Sequence, residues 1–297
     1  MEKKVGIILL ISFEVIVFGG FAQSTSKPLP TTLPEKYWTW TNEYSLSGNQ
    51  SYFSKNWKSG GVNNLAGSTV LISKALYKKK TMSAAFSGDF RFGLQKNVVD
   101  SFVRKTQDLI YLDGNYSHEI NQRWMGFGSL NLVSQFSPGF EYANNRKFIS
   151  SFLAPGYFTE AIGFQYKKAQ IFNARMGLLA MKQSIVINEQ VYGLVDTVRY
   201  GVIKGERIRN EVGMQLQVSV EKDIVKQLSF KGRYQGFVSY QEISQPKVFD
   251  HRVDILLTYK INRWLRFTGS IIVVRDVDQD PYIQFSQVLG LGLNYKF

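Results

Sequence analysis

From residue 38 onward the chain breaks into twelve stretches in which apolar and polar side chains alternate with a period of two. That period puts successive side chains on opposite faces of a strand, so each stretch predicts a sheet segment with one apolar and one polar surface. The stretches are Trp38 to Ser51, Leu65 to Tyr77, Thr81 to Gln95, Asp108 to Ile120, Trp124 to Phe136, Tyr157 to Lys167, Ile171 to Val186, Glu211 to Glu221, Gln227 to Gln241, Arg252 to Ile261, Trp264 to Arg275 and Ile283 to Phe297. Nearly all reach the roughly 9 to 11 residues that a tilted strand needs to cross a bilayer. No segment after the first two dozen residues approaches the run of about 20 apolar residues required by a spanning helix, so any membrane insertion must use strands. Lipid offers no partner to backbone N–H and C=O groups, so such strands must close into a barrel. The expected fold is all-β, a transmembrane antiparallel barrel of about 12 strands over residues 38–297.

The joins between stretches alternate in length. Short ones fall at Lys78 to Lys80, Asn121 to Arg123, Lys168 to Gln170, Lys222 to Lys226 and Asn262-Arg263. Longer ones fall at Tyr52 to Asn64, Lys96 to Gln107, Ser137 to Gly156, Ile187 to Asn210, Glu242 to His251 and Asp276 to Tyr282. Outer-membrane barrels have this arrangement, with tight turns on the periplasmic side and longer external loops. The aromatic content, 22 Phe, 16 Tyr and 5 Trp, recurs at strand ends, where interfacial girdles would place it. The competing architecture is a secreted soluble β-sandwich.

The two faces can be assigned strand by strand. Val212, Met214, Leu216, Val218 and Val220 form an apolar, lipid-directed row, and Glu211, Gln215, Gln217 and Ser219 a polar one. Leu228, Phe230, Tyr234, Val238 and Tyr240 point outward in the next strand, and Met82, Ala84, Phe86, Phe90, Phe92 and Leu94 in an earlier one. Leu256, Ile272 and Val274 break the rule by facing inward, which implies a partly packed lumen. The inward charges so assigned are Arg91, Arg175, Lys231, Arg233, Arg252 and Arg266, against Asp89 and Asp254. Two readings follow: a positively charged lumen that favours small anionic solutes, or acid-base pairs that close a narrow interior.

The last nine residues, Leu289 to Phe297, alternate without a fault: Leu289, Leu291, Leu293, Tyr295 and Phe297 share one face, and the last residue is aromatic. This pattern resembles the C-terminal strand of Gram-negative outer-membrane barrels, and the resemblance implies recognition by the barrel assembly machinery. At the other end, Lys3 and Lys4 precede an apolar run from Val5 to Phe18 and the small residues Gly19 to Ser24, which reads as a secretory signal peptide. The expected division is residues 1–23 as signal, 24–37 as a flexible leader containing the Pro-rich Lys27 to Pro34, and 38–297 as the barrel. The cell outer membrane is the implied location, with its lipid and lipopolysaccharide as surroundings.

The formal net charge is +13. In a soluble protein that would suggest nucleic acid, but export and the lack of a basic helix or nucleic-acid motif argue against it. Absence of Cys excludes disulfides and lipidation at a cysteine. His118 and His251 are the sole histidines, too few for a multi-histidine metal site. Asp250-His251, near Ser239 and Ser244, is the one place where a rim enzyme acting on lipid or envelope polymer could be sought, although no motif of such enzymes accompanies it. Asp276-Val277-Asp278-Gln279-Asp280 spaces carboxylates like the start of a calcium loop, but Pro281 and Gln287 replace the required Gly and Glu, so a charged turn is the favoured reading. No catalytic residues, metal or cofactor are implied.

Asn56-Trp57-Lys58-Ser59-Gly60-Gly61-Val62-Asn63, after the aromatic segment Trp38 to Tyr52, resembles the start of a family of outer-membrane barrels of uncharacterised function with a W-x-x-G-G-x-N block. The motif residues are Asn56, Trp57, Gly60, Gly61 and Asn63. Physically the block reads as a turn, since Gly60 and Gly61 tolerate positive φ. The expected role is a narrow channel, small-solute transport or a structural envelope protein. The alternatives are a rim enzyme and an adhesin working through the long loops Ser137 to Gly156 and Ile187 to Asn210.

Overall fold

The structure, a computed structural model, describes residues 37–52, 63–98, 102–141, 147–169, 171–194, 196–241, 243–244 and 249–296. Its strands are β1 (Trp38–Ser51), β2 (Asn64–Lys79), β3 (Met82–Asn97), β4 (Arg104–Glu119), β5 (Trp124–Ser134), β6 (Gly139–Glu141), β7 (Lys147–Ser150), β8 (Gly156–Lys168), β9 (Phe172–Ile185), β10 (Val198–Arg199), β11 (Val202–Ile203), β12 (Ile208–Val225), β13 (Leu228–Ser239), β14 (Asp250–Lys260), β15 (Leu265–Asp276) and β16 (Asp280–Lys296). A single 3-10 turn, Glu189–Tyr192, lies between β9 and β10. Twelve strands form a closed antiparallel barrel in the order β1-β16-β15-β14-β13-β12-β9-β8-β5-β4-β3-β2. The seam is the ladder from Glu43–Lys296 to Ser47–Gly292.

The twelve alternating stretches are these twelve strands, and β1 has the expected bounds. Others run past the apolar pattern. β12 extends to Val225, where Lys222 and Asp223 pair with Phe230 and Ser229, because backbone pairing continues after the side chains leave the apolar belt. One expected long join is corrected: β15 and β16 are linked by a tight turn at residues 277–279, as short as the turns of the opposite end. Asp276 makes the turn, its Oδ1 accepting the backbone N–H groups of Asp278 and Gln279 at 3.0 and 3.3 Å.

Large apolar side chains cover the outside. Phe86, Ile162, Phe164, Leu216, Phe285 and Leu291 are all exposed there, a surface that water would not tolerate over such an area and lipid would. At the short-turn end rings gather in pairs, with Trp38 5.1 Å from Tyr77, Trp124 5.2 Å from Tyr166, and Trp264 stacked 6.3 Å from Tyr295. Amphipathic rings favour the boundary between apolar and aqueous surroundings.

β9 departs from strict alternation, since Leu178 and Leu179 are both exposed on the outer face. The ladders to β8 and β12 shift register at this level, between Ile162 and Gly163 and between Gly213 and Gln215. The extra residue is a bulge. Before it Arg175 and Gly177 face the interior; after it Ala180, Lys182 and Ser184 do. Gly213 allows the close approach, because a Cβ there would lie 1.9 Å from the Val238 carbonyl oxygen.

At the long-loop end β6–β7, β10–β11 and the 3-10 turn pack around Ala154, Val186, Val191, Tyr192 and Val202, with Phe148 and Tyr200 against them. The Tyr192 hydroxyl donates to the Val202 carbonyl at 3.2 Å, and the Tyr200 hydroxyl to that of Ile149 at 2.5 Å. This end therefore carries a small apolar core of its own.

Candidate functional site

Strands distant in the sheet can touch only through the interior, so side-chain contacts between them locate the lumen. At its middle Tyr111 of β4 is the hub, 2% exposed. Its hydroxyl accepts from Gln217 Nε2 of β12 at 2.9 Å and from Gln235 Nε2 of β13 at 3.4 Å. The Arg233 guanidinium lies 3.5 Å from the centre of its ring, a cation over the negative face of the π-system. Arg233 also meets Asp254 at 3.4 Å, and Arg252 holds Asp254 through Nε and Nη2 at 2.9 and 2.8 Å. Next to this group Arg175 of β9 reaches Asp113 of β4 at 2.9 Å. Arg91 donates Nε and Nη2 to Asp89 at 2.8 and 2.6 Å, and Nη1 across the barrel to Ser270 Oγ of β15 at 2.9 Å. Charges this buried need partners of such geometry, since an unpaired one would cost several kcal/mol.

Two further layers flank the middle. Toward the short turns Arg266 meets Glu43 at 2.6 Å, Lys231 lies 4.0 Å from Glu43 and 3.3 Å from Glu221, and Lys74 crosses from β2 to Glu221 at 2.8 Å. Toward the long loops Lys182 donates to Asp250 and, at 3.4 Å, to Asp276. Its ammonium also lies 5.3 Å from the ring centre of Tyr157 and 5.6 Å from that of Phe237. The eight residues read as lumen charges, Asp89, Arg91, Arg175, Lys231, Arg233, Arg252, Asp254 and Arg266, thus take part in interior ion pairs. Sequence reading missed Tyr111, Asp113, Glu43, Lys182 and Ser270. The run Leu109-Ile110-Tyr111-Leu112 is apolar on both faces, so its parity could not be read, and Lys182 is turned inward only by the bulge of β9.

Among the described residues, two cavities within the barrel border these layers. The one toward the short turns has a volume of about 60 Å³ and is bounded by Glu43, Arg266, Thr258 and Val70 among others. The one toward the long loops, about 250 Å³, is bounded by Asp108, Arg252, Ile272 and Tyr157 among others. Asp108 is anchored there by Lys105 at 2.8 Å and by the backbone N–H groups of Phe136 and Ser137 at 2.7 and 3.0 Å. Gln107 Oε1 and Arg266 Nε are buried without a protein hydrogen-bond partner among the described residues.

Asp250 and His251 do not form a catalytic pair. They are neighbours on β14 and so point to opposite faces: Asp250 inward to Lys182, His251 outward, where its Nδ1 is 2.9 Å from the Tyr234 hydroxyl. His118 is exposed on the outer face near the short turns. Of the turn carboxylates, Asp276 meets Lys182 and its own backbone, and Asp278 meets Arg209 at 2.5 Å, so they diverge. Asn56, Trp57, Gly60 and Gly61 lie outside the described residues, as do Phe297, the signal and the leader up to residue 36; Asn63 directly precedes β2. Leu289, Leu291, Leu293 and Tyr295 share the exposed face of β16.

Residues 48–140 match a family model described as a protein of unknown function, DUF3078. No curated protein matches the sequence. Among solved structures the chain is similar to an outer membrane channel from Pseudomonas putida F1, with 9% identity, a TM-score of 0.40 and coverage of 90% of this chain and 100% of that one. It is also similar to the NanC porin, with 9% identity, a TM-score of 0.37 and coverage of 85% and 98%. The translocator domain of the autotransporter NalP from Neisseria meningitidis gives 9% identity, a TM-score of 0.34 and coverage of 88% of both chains. Likenesses this distant carry no argument about activity.

Proposed function

We propose that the protein is an outer-membrane channel, narrow and selective for small anionic solutes, exported by an N-terminal signal over residues 1–23 and inserted by the barrel assembly machinery into lipid and lipopolysaccharide. The observation that carries this reading is the two-faced wall: an apolar exterior fit for lipid surrounds an interior of ionised side chains with cavities between them. Arg91 and Arg252 line the larger cavity while their partners Asp89 and Asp254 are absent from its wall. A solute there meets these guanidinium groups, Asp108 in the same wall being paired with Lys105, and a low-dielectric wall strengthens their field.

The test is single-channel recording of the refolded protein in planar bilayers under a salt gradient. The expected reversal potential has the sign of anion preference, and Arg252→Gln should move it toward cations. Cation preference in the native protein would overturn the reading of solute charge.

A further inference from the structure

The two cavities lie along one side of the barrel interior. β9, β12 and β13 contribute nothing to the wall of either cavity. The side chains they turn inward are packed instead: Gln217 and Arg233 on Tyr111, Arg175 on Asp113, and Phe237 against Phe127, Ala161 and Ala180. Both cavities draw their walls from β3, β4 and β14 to β16, with β1 and β2 added toward the short turns and β5 and β8 toward the long loops.

The two cavities share Arg91, Gln107, Ser270 and Val288. The hydrogen bond from Arg91 Nη1 to Ser270 Oγ, 2.9 Å long, spans this shared neck. Its two ends differ in freedom. Asp89 grips the guanidinium through two nitrogens, which fixes the direction of Nη1. Ser270 is only half-buried, and its hydroxyl turns away by a single rotation. A solute oxygen that displaces it takes over the same charge-assisted donor, so the exchange conserves one hydrogen bond.

Resting on the channel reading, we infer that the conduit runs off the barrel axis, along the wall formed by β1 to β4 and β14 to β16, and that Arg91 with Ser270 is its constriction. Arg91 is the specificity-determining residue. It selects small anions that present oxygen acceptors to Nη1.

The chain contains no cysteine, so Ser270→Cys and Ser219→Cys each introduce a single thiol. Ser219 faces inward from β12, on the packed side at nearly the same level, through its pairing with Arg233. Each variant is recorded in planar bilayers before and after a negatively charged methanethiosulfonate reagent. Modification should cut the conductance of Ser270→Cys severalfold and leave that of Ser219→Cys unchanged. Arg91→Gln should abolish anion preference while heat-modifiable migration shows that the barrel has folded. A conducting native barrel in which Ser270→Cys is insensitive, or both variants are equally sensitive, overturns the route and leaves the channel reading intact. Retained anion preference in a folded Arg91→Gln barrel overturns its role. A folded native barrel that passes no current overturns channel and route together.

Discussion

Several inward polar residues are held by partners from distant strands, while outward residues are tested by what surrounds the barrel. Tyr111 shows the first condition: apolar by most measures, it is kept inside by two amide donors and one guanidinium. Leu216 shows the second, exposed on the outer face of β12 between Gln215 and Gln217, which share the inward face. Arg at Leu216 should destabilise the protein by about 2 to 4 kcal/mol if the site lies near the bilayer midplane. Gln217→Arg is a poor control, because Gln217 is buried on the Tyr111 hydroxyl; Gln215, half-buried and inward, is the better one and should tolerate Arg at much smaller cost. Urea titration in detergent or lipid vesicles measures both. Equal costs at Leu216 and Gln215 would remove either the facing or the membrane from the account.

Among elements β9 has the strongest leverage, since a single extra residue sets the facing of everything beyond it. Deleting Leu178 would remove the bulge and shift the strand by one position, turning Lys182 outward and leaving Asp250 and Asp276 without their shared cation. A lysine facing lipid costs about 2 to 4 kcal/mol at the midplane and less toward the rim where Lys182 lies, and the two abandoned carboxylates add to it. The folded yield of the deletion variant should fall sharply, whereas Leu178→Ala, which keeps the residue count, should fold nearly as well as the native chain. Similar yields for the two variants would show that the bulge does not set the interior of β9.

For the whole molecule, closure depends on the short seam between β1 and β16. Gly292 sits within it, where a Cβ would lie 2.2 Å from the Leu46 carbonyl oxygen and 2.8 Å from the Ser47 Cβ. Gly292→Leu should wedge the seam apart and reduce the heat-modifiable fraction on gels, at a cost of about 1 to 3 kcal/mol or more. Gly126, whose added Cβ would meet nothing within 4 Å, should accept Ala with no loss. A normal heat-modifiable fraction in Gly292→Leu would show that the barrel closes elsewhere.

The strands, their bounds to within a few residues and most of their facing are local properties, written as a period of two in side-chain polarity, and residues such as Leu216, Gln217 and Arg91 carry them openly. The sequence by itself also determined that β16 has one continuous apolar face. Where the pattern is doubled, as at Leu178-Leu179 and around Tyr111, local reading loses parity, because only ladder geometry tells which residue is extra. The pairs Asp89–Arg91 and Arg252–Asp254 are local, two positions apart on one strand face, but the cross-barrel partners of the interior side chains were decided by tertiary structure alone. Arg91 and Ser270 lie 179 positions apart, and Tyr111 and Gln217 lie 106 apart. They face each other because twelve tilted strands close at one diameter, and nothing in either residue's neighbourhood encodes which strand will stand opposite.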